Sequence, residues 1–313
     1  MAATHWEARL SRSAIRSEAR TDTLAAERKL LHAGGGSSAW HNLGLWPASG
    51  YAEACSTLAR AVGDAAGLRA GQRVLSVACG EGDELSFWLD HYGCASSAGV
   101  DPRLAFVEHR DARIERHPCT WAQALETALR QSQRFDAIVC VDAAYHLSPR
   151  AAWLKDCAGL LKPGGHIAFT DLTLALPGAM RRAGLMALRP FFKAGAMTAD
   201  DLLTPEASMQ RLGEAGFCEV QQRELSQAVL DGFAAFARRQ SLKLGNHARS
   251  PDWRRVRVTA SALRWLRRMR PLGLRLGYAL FSARLRSHSA CSERAADCAE
   301  LTADSSSGTP SPA

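Results

Sequence analysis

The 313-residue chain contains no run of about 18 apolar residues, so no membrane-spanning helix is expected from it. It has no C-x-x-C pair. Its nine cysteines, at 55, 79, 94, 119, 140, 157, 218, 291 and 298, show no zinc-like spacing and are odd in number, so they read as free thiols in a reducing compartment, and no metal is expected. The N-terminal stretch lacks a continuous apolar region and carries Glu7 and Glu18, which argues against a secretory leader and makes the cytoplasm the expected location. No internal repeat or heptad array stands out. Acids are nearly absent from one segment: between Pro251 and Arg286 ten arginines meet a single acid, Asp252, which exceeds the formal net charge of +8 for the whole chain. The basicity is therefore local. A nucleic-acid enzyme would spread positive charge along its cleft, so nucleic acid is not the expected partner.

With 47% hydrophobic and 22% charged residues, the chain can bury a sizeable core as one large domain or two small ones. Residues 1–70 read as an N-terminal helical and lid region, broken by "AGGGSS" and by the aromatic, Gly/Pro-rich loop "WHNLGLWPASGY" (Trp40 to Tyr51). Residues 71–225 read as an α/β core, 226–286 as a helical cap with a last strand, and 287–313 as a disordered tail poor in large apolar residues. From Gly71 onward apolar strands alternate with helices: "RVLSVA", "DELSFWLDHY", "SSAGVD", a helix over "RLAFVEHRDARIERH", the strand "RFDAIVCVDA", the helix "RAAWLKDCAGLL" and the strand "HIAFTDL". This alternation predicts a doubly wound, mostly parallel α/β sheet. The later strands "CEVQQREL" and "GYALFSARL" are expected to pair antiparallel at the end of that sheet.

The stretch "RVLSVACGEGDE" is an apolar strand that ends in small residues and turns into a helix. Small residues let backbone approach a ligand closely, and the amides at the helix start favour an anionic group. Nineteen residues after Gly82, Asp101 ends the next strand, where a carboxylate can accept from a ribose diol. Together these features predict a nucleoside-containing ligand. The loop reads A-x-G-x-G (Ala78, Gly80, Gly82) rather than the G-x-G-x-x-G of a dinucleotide site.

"VLSVACGEGDE", "AGVDPR", "FDAIVCVDAAYHL" and "LLKPGGHIAFTDL" resemble, in order and spacing, the successive motifs of class I S-adenosylmethionine-dependent methyltransferases. "HNLGLW" ahead of the core and "WRRVRVTASALRWL" behind it look most like the branch that acts on natural products, sterols and quinones. The resemblance implies a Rossmann-like fold with an antiparallel last strand and helical lid elements. It places the methionine part of S-adenosyl-L-methionine over Ala78, Cys79, Gly80 and Gly82, the ribose on Asp101, the adenine beside Pro102 and Gln123, and the sulfonium above Val141 and Asp142. Three positions depart from the family pattern: Ser76 stands where an acid is usual, Ala78 where the first glycine is usual, and Ala124 beside Gln123 cannot accept from the adenine amino group.

The implied activity is methyl transfer to a small hydrophobic acceptor at oxygen, nitrogen or carbon, by in-line displacement that depends chiefly on positioning. His146, just past the fourth strand, is the candidate general base, or else a helix-packing residue. Trp46 and Tyr51 in the aromatic loop, Tyr145, and Asp171 at the end of the fifth strand are candidate acceptor contacts, with a hydrophobic staple the other reading of the loop. Met180, Met186, Phe191 and Phe192 suggest an apolar pocket or ordinary core. In the Arg-rich segment, Trp253, Val256, Ala260, Leu263, Leu266 and Met269 recur at helical spacing. That helix reads as a solvated face, as a peripheral contact with an anionic membrane through residues 253–286, or as an RNA contact. The other functional readings are a methyltransferase-like scaffold acting through interaction and an RNA methyltransferase.

Overall fold

A computed structural model of the chain describes residues 26–33, 40–102, 104, 111–130, 134–178, 181–194, 197–198 and 201–287. Seven strands form one sheet: β1 (Arg73–Val77), β2 (Ser96–Val100), β3 (Ile114–His117), β4 (Phe135–Cys140), β5 (Leu161–Ala175), β6 (Phe217–Glu224) and β7 (Arg275–Leu285). Their order is β3-β2-β1-β4-β5-β7-β6. The first five run parallel, and β7 lies antiparallel between β5 and β6. Both late strands therefore pair as their sequence suggests.

The parallel strands are apolar on both faces because both are covered. Along β4, Ala137 and Val139 face one core, while Ile138 and Cys140 face the other. On the first side lie α2 (Tyr51–Ala65) and α3 (Asp83–Tyr92), through Leu58, Val62, Leu85 and Trp88. On the second lie α5 (Arg150–Leu160) and α7 (Pro205–Glu214), through Trp153, Leu154 and Leu212. The remaining α-helices among the described residues are a short α1 over residues 26–31, α4 (Trp121–Arg130), α6 (Arg181–Ala194), α8 (Gly232–Lys243) and α9 (Pro251–Arg268).

Helix boundaries follow local chemistry. Thr204 accepts from the Ala207 amide at 3.3 Å with Pro205 at the first position of α7, and Ser250 accepts from the Trp253 amide at 3.2 Å with Pro251 opening α9. In α9 the periodic residues Trp253, Val256, Ala260, Leu263 and Leu266 are all buried, so the apolar stripe of the Arg-rich segment is absorbed by the fold. Trp265 is 57% exposed, outside that stripe.

Two expectations are corrected. The helix expected over residues 103–117 gives way at Ile114–His117 to the edge strand β3, with Ile114 buried and the other three half-buried. A single inward apolar residue at an edge leaves no strand alternation to read. Strand β5 continues to Ala175, paired with β7 from His166 onward, so Asp171 lies inside the strand rather than at its end. The expected tail at 288–313, the first 25 residues and Met180 lie outside the described residues.

Candidate functional site

β1 and β4 are neighbours although β2 and β3 intervene in sequence. Connections leave these two strands in opposite directions, opening a crevice at their carboxyl ends where such sheets bind ligands. The loop after β1 fills one side of that crevice. Its Ala78 amide donates to Val100 O at 2.7 Å, and Ala78, Gly80 and Gly82 have φ of 56°, 61° and 92°. Ala78 thus holds a left-handed conformation that a glycine would adopt more cheaply. A Cβ on Gly82 would approach Arg116 Nη2 to 2.9 Å, whereas one on Gly80 would meet no heavy atom within 4 Å. The loop is packed beneath and open above Gly80.

Asp101, only 2% exposed at the end of β2, accepts from the Gly80 amide through Oδ2 at 2.9 Å. The predicted ribose ligand and the glycine loop are thereby joined in one unit. Pro102 beside it is exposed. Cys79 is buried and its thiol pushed well up by burial, so it is an inert space-filler.

Sequence reasoning missed Glu84. It lies on the apolar face of α3 with Leu85 and Trp88, is 5% exposed, and its Oε1 is buried with no hydrogen-bond partner. Burial pushes its carboxyl up to about 8, against the Ser76 hydroxyl, while the Asp101 and Asp83 charges push the same way. A carboxylate from the helix thus stands beside the serine that occupies the family's acidic position. Its signal was an acid at i, i+1, i+4 spacing with Leu85 and Trp88.

At the end of β4, Val141 is buried and Asp142 has φ 54°. The Asp142 carboxylate accepts from Leu43 N at 2.6 Å, from the Tyr145 hydroxyl at 3.1 Å and from the Tyr278 hydroxyl at 2.8 Å, and its own amide donates to Thr170 Oγ1 at 2.7 Å. Burial raises it to about 6, with those three donors opposing. Asp142 is therefore the anchor of the aromatic loop. Tyr278 on β7 was the second residue missed, because a buried tyrosine in an apolar strand carries no local pattern.

Other candidates are placed differently from expectation. Trp46 is stacked on Phe236 with centroids 4.7 Å apart and donates to Leu43 O. Tyr51 donates to Asn42 O at 2.7 Å and also stacks on Phe236. Both are buried, so they staple the loop to α8 rather than present themselves to an acceptor. Trp40 meets Phe87 edge-on at 5.8 Å. Gln123 accepts through Oε1 from the amide and the hydroxyl of Thr120, both at 2.9 Å. This is a T-x-x-Q capping box at the start of α4, and it commits the side-chain carbonyl expected near adenine. Asp171 is 2% exposed and its Oδ2 lies 2.9 Å from Arg150 Nη2, a buried pair rather than a group offered to a hydroxyl. Arg150 in turn donates its amide to Asp201 at 2.9 Å. His146 is exposed on the turn Ala144–His146, its ring 4.4 Å from that of Tyr145. Among the described residues no cluster could hold a metal ion.

Residues 75–167, from β1 into β5, match the family model of a methyltransferase domain. The chain is 30% identical over 203 residues to the erythromycin 3''-O-methyltransferase of Saccharopolyspora erythraea, covering 62% of this chain and 66% of the relative. It is 32% identical over 105 residues to the ubiquinone biosynthesis O-methyltransferase of Coxiella burnetii, covering 33% of this chain and 44% of that one. The chain thus spans about two thirds of the first relative's length and under half of the second's. In fold it resembles the Haemonchus contortus phosphoethanolamine N-methyltransferase 2 solved with S-adenosyl-L-methionine, at TM-score 0.55 and 15% identity, covering 74% of this chain and 53% of that one. The sheet order, the strand-to-helix loop and the acid ending β2 define a doubly wound α/β protein with a crevice at the carboxyl ends of β1 and β4. The chain belongs to the S-adenosylmethionine-dependent methyltransferases.

The residues present fit that cofactor. Asp101 suits a diol, the open space above Gly80 leaves room at the loop, and the orphaned Oε1 of Glu84 is a buried acid without a cation.

Proposed function

We propose that this chain transfers a methyl group from S-adenosyl-L-methionine to an oxygen of a small hydrophobic acceptor at the carboxyl edge of β1 and β4. When bound, the cofactor supplies an electrophilic methyl on a sulfonium. The observation that carries the reading is the loop from Ala78 to Gly82 tied to the buried Asp101 and backed by Glu84, whose Oε1 is buried without a partner. Asp101 would hold the ribose hydroxyls, and Glu84 would face the ammonium in place of the acid absent at Ser76. Val141 and Asp142 would floor the reacting centre, and Asp142 would hold the loop of Trp40 to Leu45 over it to exclude water. Excluding water and fixing the acceptor against the methyl carbon contributes about 7–11 kcal/mol in well-oriented reactions.

Oxygen as the acceptor atom is favoured by the names of both sequence relatives, and a hydrophobic acceptor by the macrolide and the quinone those names contain. His146, on an exposed turn beside Tyr145, is the residue that would take the acceptor's proton if the hydroxyl does not lose it to water. The test is a mass-spectrometric comparison of lipophilic extracts from cells expressing the protein with those from cells expressing the Asp101→Asn variant. The reading predicts a compound heavier by one methyl group that appears only with the wild type, and identical extracts would contradict it.

A further inference from the structure

Four of the ten arginines of the Arg-rich segment gather at one place in the fold. A cavity of about 410 Å³ is lined by Asp231, Ala235, Arg238, Arg264, Arg267, Arg268 and Arg270. Arg264, Arg267 and Arg268 lie at i, i+3, i+4 on α9, Arg270 sits in the turn beyond it, and Arg238 comes from α8. Among the described residues only one acid lines the cavity. Asp231 pairs with Arg267, at 3.2 Å to Nε and 2.8 Å to Nη2, while Arg267 Nη1 is buried with no hydrogen-bond partner. Among the described residues, Arg238, Arg264, Arg268 and Arg270 have no acid within ion-pair distance. The dipole at the carboxyl end of α9 favours cations at Arg267 and Arg268, but it does not reach across to α8. Five guanidinium groups around one cavity repel each other, and an anion between them converts that repulsion into attraction. Forked guanidinium donors match phosphate oxygens in pairs.

We propose that this basin, which is separate from the methyl-transfer site, binds a phosphate group, carried either by a soluble phosphate ester or by an anionic lipid headgroup. An observation beside it bears on the source. Trp265, one residue from Arg264, is 57% exposed on the outer face of α9, with Val258 60% exposed two turns earlier. An exposed indole beside cations suits the boundary between headgroups and acyl chains. The phosphate reading stands whether or not the chain methylates an acceptor.

The experiment uses the full chain with two probes: inorganic pyrophosphate followed by calorimetry at fixed ionic strength, and flotation with vesicles of phosphatidylcholine alone or mixed with phosphatidylglycerol. The first variant changes the exposed Arg264, Arg268 and Arg270 to Gln and leaves the Arg267–Asp231 pair intact. A second changes Arg254 and Arg257, exposed on the same helix but outside the basin. The basin variant should weaken binding of at least one probe about tenfold or more, as loss of charge-assisted bonds requires, with the second variant within about twofold of wild type. Trp265→Ala then separates the sources: loss of flotation with pyrophosphate binding kept identifies a lipid headgroup, and pyrophosphate binding without flotation by any form identifies a soluble phosphate ester. If neither probe binds above a chloride-matched control, or if both arginine variants weaken binding equally, the proposal is overturned. Unchanged thermal unfolding of the variants shows that a loss is not a folding defect.

Discussion

Glu84 is the residue at which the site's chemistry departs most from its surroundings. A carboxyl held at about 8 by burial is mostly protonated at pH 7, and a cation placed against it restores the ordinary carboxylate range. Ligand binding at pH 7 should therefore release most of one proton. Calorimetry of S-adenosyl-L-methionine in buffers of different ionisation enthalpy reads this directly. The wild type should show the release, and Glu84→Gln should show none while binding more weakly. Equal proton release by both forms would remove Glu84 from the ammonium site. That residue was hidden because its neighbours alone make it an acid on an apolar helix face. Asp101 was legible because a strand-end acid at fixed distance from a glycine loop is a local pattern. Gln123 misled for the opposite reason: its spacing from Thr120 served a capping box.

At the level of elements, the aromatic loop and the sheet are joined through one carboxylate. Three donors, from Leu43, Tyr145 and Tyr278, converge on Asp142. Asn at this position tolerates the left-handed backbone but replaces one acceptor oxygen with a donor, so Asp142→Asn leaves at least one of the three unsatisfied at a cost of about 1–3 kcal/mol. Amide hydrogen exchange should rise at residues 42–46 more than in β1 or β4, and methyl transfer should fall with little change in cofactor affinity. A uniform rise across the sheet would show that Asp142 supports the core rather than the loop. The strands and the α9 stripe could be read in advance because their period is set by burial. β3 could not, since an edge strand with one inward residue has no period. The extent of β5 was decided by its partner β7, which is remote in sequence.

Across the whole molecule, the raised acids set a pH dependence of stability. Unfolded Glu and Asp titrate near about 4, whereas Glu84, Asp171 and Asp142 in the fold are held at about 8, about 7 and about 6. Between those limits the unfolded chain is ionised and the folded groups retain their protons. Folding is then favoured at low pH, and that contribution is lost as pH rises through the folded values. The melting temperature should fall between about pH 5 and 8, and Glu84→Gln should flatten the fall above about pH 7. A melting temperature that rises over this range would contradict the burial assigned to these groups. The fold class and the place of the loop after β1 beside Asp101 were legible from sequence because four motifs kept order and spacing. The acceptor side was not, since Trp46, Tyr51 and Asp171 found packing or ionic partners far away in the chain. The central claim is that the loop from Ala78 to Gly82 and Asp101 form the S-adenosyl-L-methionine site. Isothermal calorimetry of that ligand against the wild type and Asp101→Asn, which keeps an acceptor for the Gly80 amide, tests it most directly. The account predicts saturable binding by the wild type at or below about 1 mM and an affinity about 10- to 100-fold weaker in the variant. No binding by the wild type, or equal affinity in both, would contradict it.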